Sequence, residues 1–147
     1  MLVALAFVAA MVVPPLSEAE LREQADVIVD GVVVAQHSAW VGRRVFTFST
    51  VVSGTGTSAR SVLVALPGGD VGGFSQRVPG SPVLSVGVRY RLYLGKADGP
   101  VDAPSTIKSR GVVGFYRGVF LIDPAHDDAL LPFGDDGLPV RSIGAAR

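Results

Sequence analysis

Two histidines, His37 and His126, and no cysteine set the limits on what this chain could catalyse. Without cysteine there is no thiolate nucleophile, no thiolate zinc site and no disulfide. His37 stands beside Ser38, but a Ser/His pair works only where a carboxylate and an oxyanion hole converge on it. No Gly-x-Ser-x-Gly turn occurs, and Ser75, in Gly72-Gly73-Phe74-Ser75, lacks the pattern of that turn. The densest acidic stretch is Asp123-Pro124-Ala125-His126-Asp127-Asp128, followed by Asp135-Asp136-Gly137. A calcium loop of the EF-hand kind needs a glutamate twelfth from its first ligand, and none is there, so the stretch reads as acidic surface turns. Gly95-Lys96 has neither the Ser/Thr nor the upstream glycines of a phosphate-binding loop. The expectation is therefore no catalytic residue, no metal and no cofactor.

The feature most open to function is a long loop. Pro67-Gly68-Gly69-Asp70-Val71-Gly72-Gly73 runs through Phe74 to Val78-Pro79-Gly80-Ser81-Pro82. Its glycines permit positive φ and its prolines stiffen the exit. Long ordered loops on a small domain are either binding elements or solvated connectors. The candidate binding residues are Gly68, Gly69, Asp70, Gly72, Gly73, Phe74, Val78 and Pro79, joined by Trp40 in an expected turn over residues 38–42. A basic aromatic surface from Arg43, Arg44, Arg89 and Arg91 with Tyr93 and Trp40 is conceivable, but reads better as a solvated strand face. With 13 basic and 13 acidic residues the net charge is zero, so no long-range field favours nucleic acid.

The elements that must position these residues are mostly strands. Ser17 can cap a short helix over residues 17–25, with Glu20 completing a capping box. Residues 27–35 are β-branched and apolar on both parities, with Gly31 as a bulge or bend. Residues 44–52 alternate, with Phe46, Phe48 and Val52 on one side and Thr47 and Ser49 on the other. Residues 60–66 form a third strand. Residues 88–94 have the cleanest period of two, with Val88, Tyr90, Leu92 and Leu94 facing one way. Residues 112–122 make a fifth strand that can bend at Gly114 and Gly118. This pattern predicts an all-β fold with a short N-terminal helix, the sheet closing into a five-stranded barrel; a small β-sandwich is the alternative.

The 147 residues suit one domain, and 48% hydrophobic with 18% charged content gives a core and argues against disorder. Residues 2–13 are uncharged and apolar, shorter than a membrane span but long enough for the core of an export signal, although no basic residue precedes them. The predicted organisation is a signal peptide over 1–15, a β-barrel domain over 16–122, and a partly ordered acidic, Pro/Gly-containing extension over 123–147. Lysine occurs only at Lys96 and Lys108 and asparagine not at all, the usage of a GC-rich coding sequence, so a bacterial origin is expected.

Two stretches carry a resemblance. Ala25-Asp26-Val27-Ile28-Val29-Asp30-Gly31-Val32-Val33 follows a short helix, and Val86-Gly87-Val88-Arg89-Tyr90-Arg91-Leu92-Tyr93-Leu94 runs into Gly95-Lys96-Ala97. Both resemble the inhibitory domain of the tissue inhibitors of metalloproteinases and related netrin-like modules. The chain also looks like uncharacterised bacterial secreted proteins with a Gly-Gly-x-x-Gly-Gly loop, here residues 68–73, followed by Val78-Pro79-Gly80. The likeness covers roughly residues 16–122 and implies an OB-type barrel. In the animal inhibitors an N-terminal cysteine meets the protease zinc and disulfides hold it there; this chain has neither, so that mechanism does not carry over. The reading that follows is a non-catalytic, exported binding module whose partner is another extracellular or envelope protein. It would have no nucleic acid ligand and no stable membrane anchor. A peptidase-inhibitor-like protein acting by loop insertion, or a small hydrolase, is the alternative.

Overall fold

The computed structural model describes residues 16–140, so the expected export segment over residues 1–15 lies outside the described residues. Helix α1, Glu18–Gln24, starts as its sequence dictates. The Ser17 hydroxyl accepts from the Glu20 N–H at 3.2 Å, Glu18 and Glu20 occupy the positive first turn, and Arg22 bonds Glu18 one turn back at 2.8 Å. Its one buried residue is Leu21.

The main sheet has six antiparallel strands: β1 (Val27–Val41), β2 (Arg44–Ser53), β3 (Arg60–Pro67), β6 (Arg89–Leu94), β7 (Val119–Asp123) and β8 (Ala129–Pro132). Between β3 and β6 lies a separate two-stranded hairpin, β4 (Gly69–Val71) and β5 (Phe74–Gln76). The order β3-β2-β1-β6-β7-β8 makes β1 the shared strand, paired with β6 over its first half and with β2 over its second. The expected mostly-β architecture is present. The regular ladders, however, form an open sheet of six strands rather than a closed ring of five.

Gly31 is a place of close approach rather than a bulge: a Cβ there would lie 2.7 Å from both Val51 Cγ1 and the Val52 carbonyl oxygen. The bulge falls three residues later, where the register shifts between Val33 and Ala35 and leaves Val34 unpaired. Its consequence is a change of parity. Val29, Gly31 and Val33 face the core before the bulge, and Gln36, Ser38 and Trp40 continue that face after it. On β2 the matching inner face is Val45, Thr47, Ser49 and Val51, opposite to the side that carries Phe46 and Phe48. Ser49 and Val51 are fully buried there, against Val64 and Leu66 of β3 and Leu84. Phe48 is buried as well, but on the other side, under the His37 ring.

The inner face of β6 follows expectation, with Tyr90, Leu92 and Leu94 in the core. Tyr93, on the opposite face, is also buried, in edge contact with Phe120 and close enough to α1 for Glu18 and Arg22 to act on its phenol. The expected strand over 112–122 is split in two. Gly114 takes a left-handed conformation (φ +69°), a single 3-10 turn follows at Phe115–Gly118, and only then does β7 begin. The first part, residues 110–113, bonds two strands at once. Arg110 N–H donates to Leu63 O at 2.9 Å and Ala65 N–H to Arg110 O at 3.0 Å, while Gly95 and Val113 exchange bonds with Gly111 and Tyr93 at 2.9 Å. The Arg110 guanidinium holds this crossing by reaching both Asp26 and the Gly95 carbonyl at 2.9 Å. Strand β8 lies in the segment expected to be an extension; four residues ending in proline give too short a pattern to read as a strand.

On the outer face of the β1–β6 ladder, Asp30 and Arg91 stand directly opposite each other and join by two parallel bonds of 2.8 and 2.9 Å. The Arg91 hydrogen bond, together with its charge, outweighs partial burial and holds the Asp30 carboxyl below its ordinary value. The folded pKa lies below the unfolded one, so the stabilisation is present above about pH 4 and is lost as pH falls through the folded value. Asp30→Asn is expected to lose about 1 kcal/mol at pH 7, with the gap to the unmodified protein closing toward pH 2. Urea melts at both pH values measure it, and a gap independent of pH would contradict this account.

Candidate functional site

The inner face of β1 and β2 is apolar over the core and turns polar toward the end that carries the β1–β2 turn. Gln36, Ser38, Thr47 and Ser49 occupy that region, and they bond to one another and to nearby carbonyls. Gln36 Nε2 donates to Ser49 Oγ and to Leu84 O, each at 3.0 Å. Ser38 and Thr47 hydroxyls lie 2.9 Å apart, and Thr47 donates to Gly68 O at 2.8 Å. Among the described residues no buried side-chain nitrogen or oxygen is without a partner.

Over this polar floor folds the segment expected to be a loop. Gly72 and Gly73 both have positive φ (+55° and +82°), the requirement of a two-residue hairpin turn, and they join β4 to β5. Three bonds pin the base of the hairpin to the sheet: Gly68 N–H to Val45 O at 2.8 Å, Val45 N–H to Gln76 Oε1 at 2.8 Å, and the Thr47 bond to Gly68. Gly69 lies so close over Ser38 and Thr47 that a Cβ would collide with both hydroxyls, and its φ of +136° excludes other residues in any case.

Between this hairpin, the polar floor and residues 78–84 opens a groove of about 590 Å³. Gly68, Gly69, Asp70, Val78 and Pro79 of the candidate set line it; Gly72, Gly73, Phe74 and Trp40 do not. Those four form the neighbouring tip, where Trp40 and Phe74 rings meet at 5.0 Å. Trp40 is not in a turn: β1 continues through Val41, and only Gly42-Arg43 turns. The sequence reading missed Gln36, Thr47, Ser49 and Gln76. Their signal was a run of polar residues on alternate positions of two consecutive strands, hidden because the bulge moved which parity faces inward.

His37 and Ser38 are neighbours in a strand and therefore project from opposite faces. His37 borders the groove, but its ring turns to the Phe48 side of the sheet, stacking on Phe48 at 5.6 Å while its Nε2 bonds the Asp102 carboxylate. The Ser38 hydroxyl bonds Thr47 instead, so serine, histidine and aspartate do not form a relay. The basic aromatic surface is also divided: Arg91 bonds Asp30, Arg89 lies 4.0 Å from Asp128, Tyr93 is buried, and Arg43 and Arg44 stand apart in the β1–β2 turn and at the start of β2. In the acidic stretch Asp123 accepts from Ala125 N–H and from His126 Nδ1, bonds that shape the turn from β7 to β8 and hold its carboxyl below the ordinary range. Among the described residues no three His, Asp or Glu side chains are placed to share a metal ion, and no helix is long and apolar enough to cross a membrane.

No family model, curated protein or solved structure matches this chain.

The hairpin's attachment generates a test. Gly72→Ala meets open space and costs only the left-handed conformation, about 1 kcal/mol. Gly69→Ala adds a collision with two hydroxyls and is expected to cost at least twice as much. Paired urea melts compare them; equal costs would mean that the hairpin does not sit on Ser38 and Thr47 as described.

Proposed function

We propose that the chain is a non-catalytic binding module that holds an extended segment of another protein in the groove beside the β4–β5 hairpin. The groove itself carries this reading: about 590 Å³, open, and walled by the glycine- and proline-rich segment 67–83. Its volume is that of an ordinary ligand site. The Ser38 and Thr47 hydroxyls of its floor bond each other and the Gly68 carbonyl, with no imidazole or carboxylate bonded to either to act as a base. What the walls offer a partner is backbone. Strand β5 has a ladder on one side only, so a partner strand could extend it by main-chain hydrogen bonds. Asp70, Arg77, Asp135 and Asp136 around the rim would then select charge. Three bonds hold the base of the hairpin down, which fits a fixed wall better than a loop that inserts into a protease.

We further read the sheet as an OB-type curl of netrin-like kind, exported from a bacterial cell by the apolar segment ahead of α1. In support of the curl, residues 110–113 touch β3 in parallel at Val64 and β6 antiparallel at Leu94. The resemblance noted in the sequence supports the kinship, and residues 2–13 support the address.

A photo-reactive residue at Arg77 in the groove wall is expected to crosslink a protein partner in extracts of the native cell envelope or medium. The same residue at Arg60, exposed and outside the groove, should not. Asp70→Ala with the Arg77 probe in place should lower the yield several-fold. Equal yields from both positions, or adducts of small-molecule mass only, would sink the proposal.

A further inference from the structure

Two hairpin tips lie side by side at the groove end of the sheet: Gly42-Arg43 between β1 and β2, and Gly72-Gly73 between β4 and β5. Each contributes one aromatic ring to the Trp40–Phe74 contact, and the rings remain 48% and 49% exposed. Val41 and Val71 next to them are half-buried. Arg43 and Arg44 are exposed and bond no other described residue, whereas Arg22, Arg91 and Arg110 each hold a carboxylate. The acidic group of the β4–β5 hairpin, Asp70, is paired with Ser75 and sits one position behind the Val71–Phe74 pair that ends the ladder. The tip thus joins a water-exposed aromatic pair to two uncompensated cations, and it lines no part of the groove.

We propose that this paired tip docks on an anionic lipid bilayer, with the Trp40 and Phe74 rings in the headgroup layer and Arg43 and Arg44 on its phosphates. Aromatic side chains of mixed polarity favour that layer, and arginine near an anionic surface adds attraction that falls off within a Debye length. The arrangement matches a surface, not a small ligand, because the rings project from hairpin ends with no cavity between them. Nucleic acid is the poorer fit: its affinity grows with the number of phosphates neutralised, and two arginines on a neutral chain neutralise few. Gly72 and Gly73 present no side chain ahead of Phe74, so the backbone of that turn can approach the headgroups closely. This proposal does not depend on the groove being occupied.

Trp40 is the chain's single tryptophan, so its fluorescence reports this tip and no other part. That matters because the full chain includes the apolar residues 2–13, which could carry it to vesicles independently. Vesicles of phosphatidylcholine with one third phosphatidylglycerol are expected to shift Trp40 emission to shorter wavelength and to let brominated acyl chains quench it. Pure phosphatidylcholine should do neither. Arg43→Ala/Arg44→Ala should weaken binding roughly tenfold or more, as should raising the salt. Phe74→Ala should weaken it while leaving the urea midpoint nearly unchanged. Three outcomes overturn the proposal: vesicle binding without a Trp40 shift, an equal shift with phosphatidylcholine alone, or a shift produced by raising protein concentration without lipid, which would indicate self-association.

Discussion

The unpaired residue Val34 is the constraint on which the rest of the molecule turns. Strand β1 must serve β6 with its first half and β2 with its second, and side chains alternate strictly along it. A straight strand would carry Val33, Ala35, His37 and Ala39 inward, placing the histidine over the floor and Gln36 and Ser38 on the outside. The bulge shifts the parity by one. It puts Gln36 and Ser38 opposite Ser49 and Thr47 and turns His37 out against Phe48. One extra residue therefore decides both that the groove floor is polar and that its hydroxyls are out of reach of the imidazole.

That single residue also separates what the sequence reveals from what it conceals. The helix was legible because Ser17 and Glu20 carry its start, and β6 because Tyr90, Leu92 and Leu94 alternate without interruption. The mostly-β class followed from five apolar runs, some alternating and some apolar on both faces. On β2 the alternation was legible, with Phe46 and Phe48 on one side and Thr47 and Ser49 on the other, but which of the two sides faces the groove was not. Alternation specifies two faces, and only the partner strands decide which of them is covered. The bend at Gly114 was legible from its glycine, whereas the crossing at Arg110 was not, since it rests on hydrogen bonds to Leu63 and Ala65, tens of positions away. Strand β8 has only four residues and a terminal proline, below what any periodicity can register.

The candidate site divides along similar lines. The glycines announced a special backbone, and the loop they occupy does form one side of the groove. Glycine says only that positive φ or close approach is needed. It does not distinguish a flexible connector from a tight hairpin clamped on Ser38 and Thr47, and that clamp is made by partners on β1 and β2. Trp40 was singled out for its chemistry, but its position depends on Phe74, 34 residues away in sequence and 5.0 Å away between ring centroids.

The polar floor bears most directly on what the groove can bind. Had Gln36, Ser38, Thr47 and Ser49 been left with unbonded donors, a small polar ligand would complete them and gain the energy of satisfying buried groups. The Gln36 amide N–H groups and the Ser38 and Thr47 hydroxyls are instead directed to one another, to Ser49 and to the Gly68 and Leu84 carbonyls, so a ligand that takes these donors must displace bonds already made. Under the binding function proposed above, selectivity would fall to the rim, where the β5 edge and the carboxylates of Asp70, Asp135 and Asp136 are open to solvent. An occupant matched to that rim needs main-chain donors and acceptors in an extended array, with basic side chains beside them. A peptide strand has those properties; a compact apolar molecule does not.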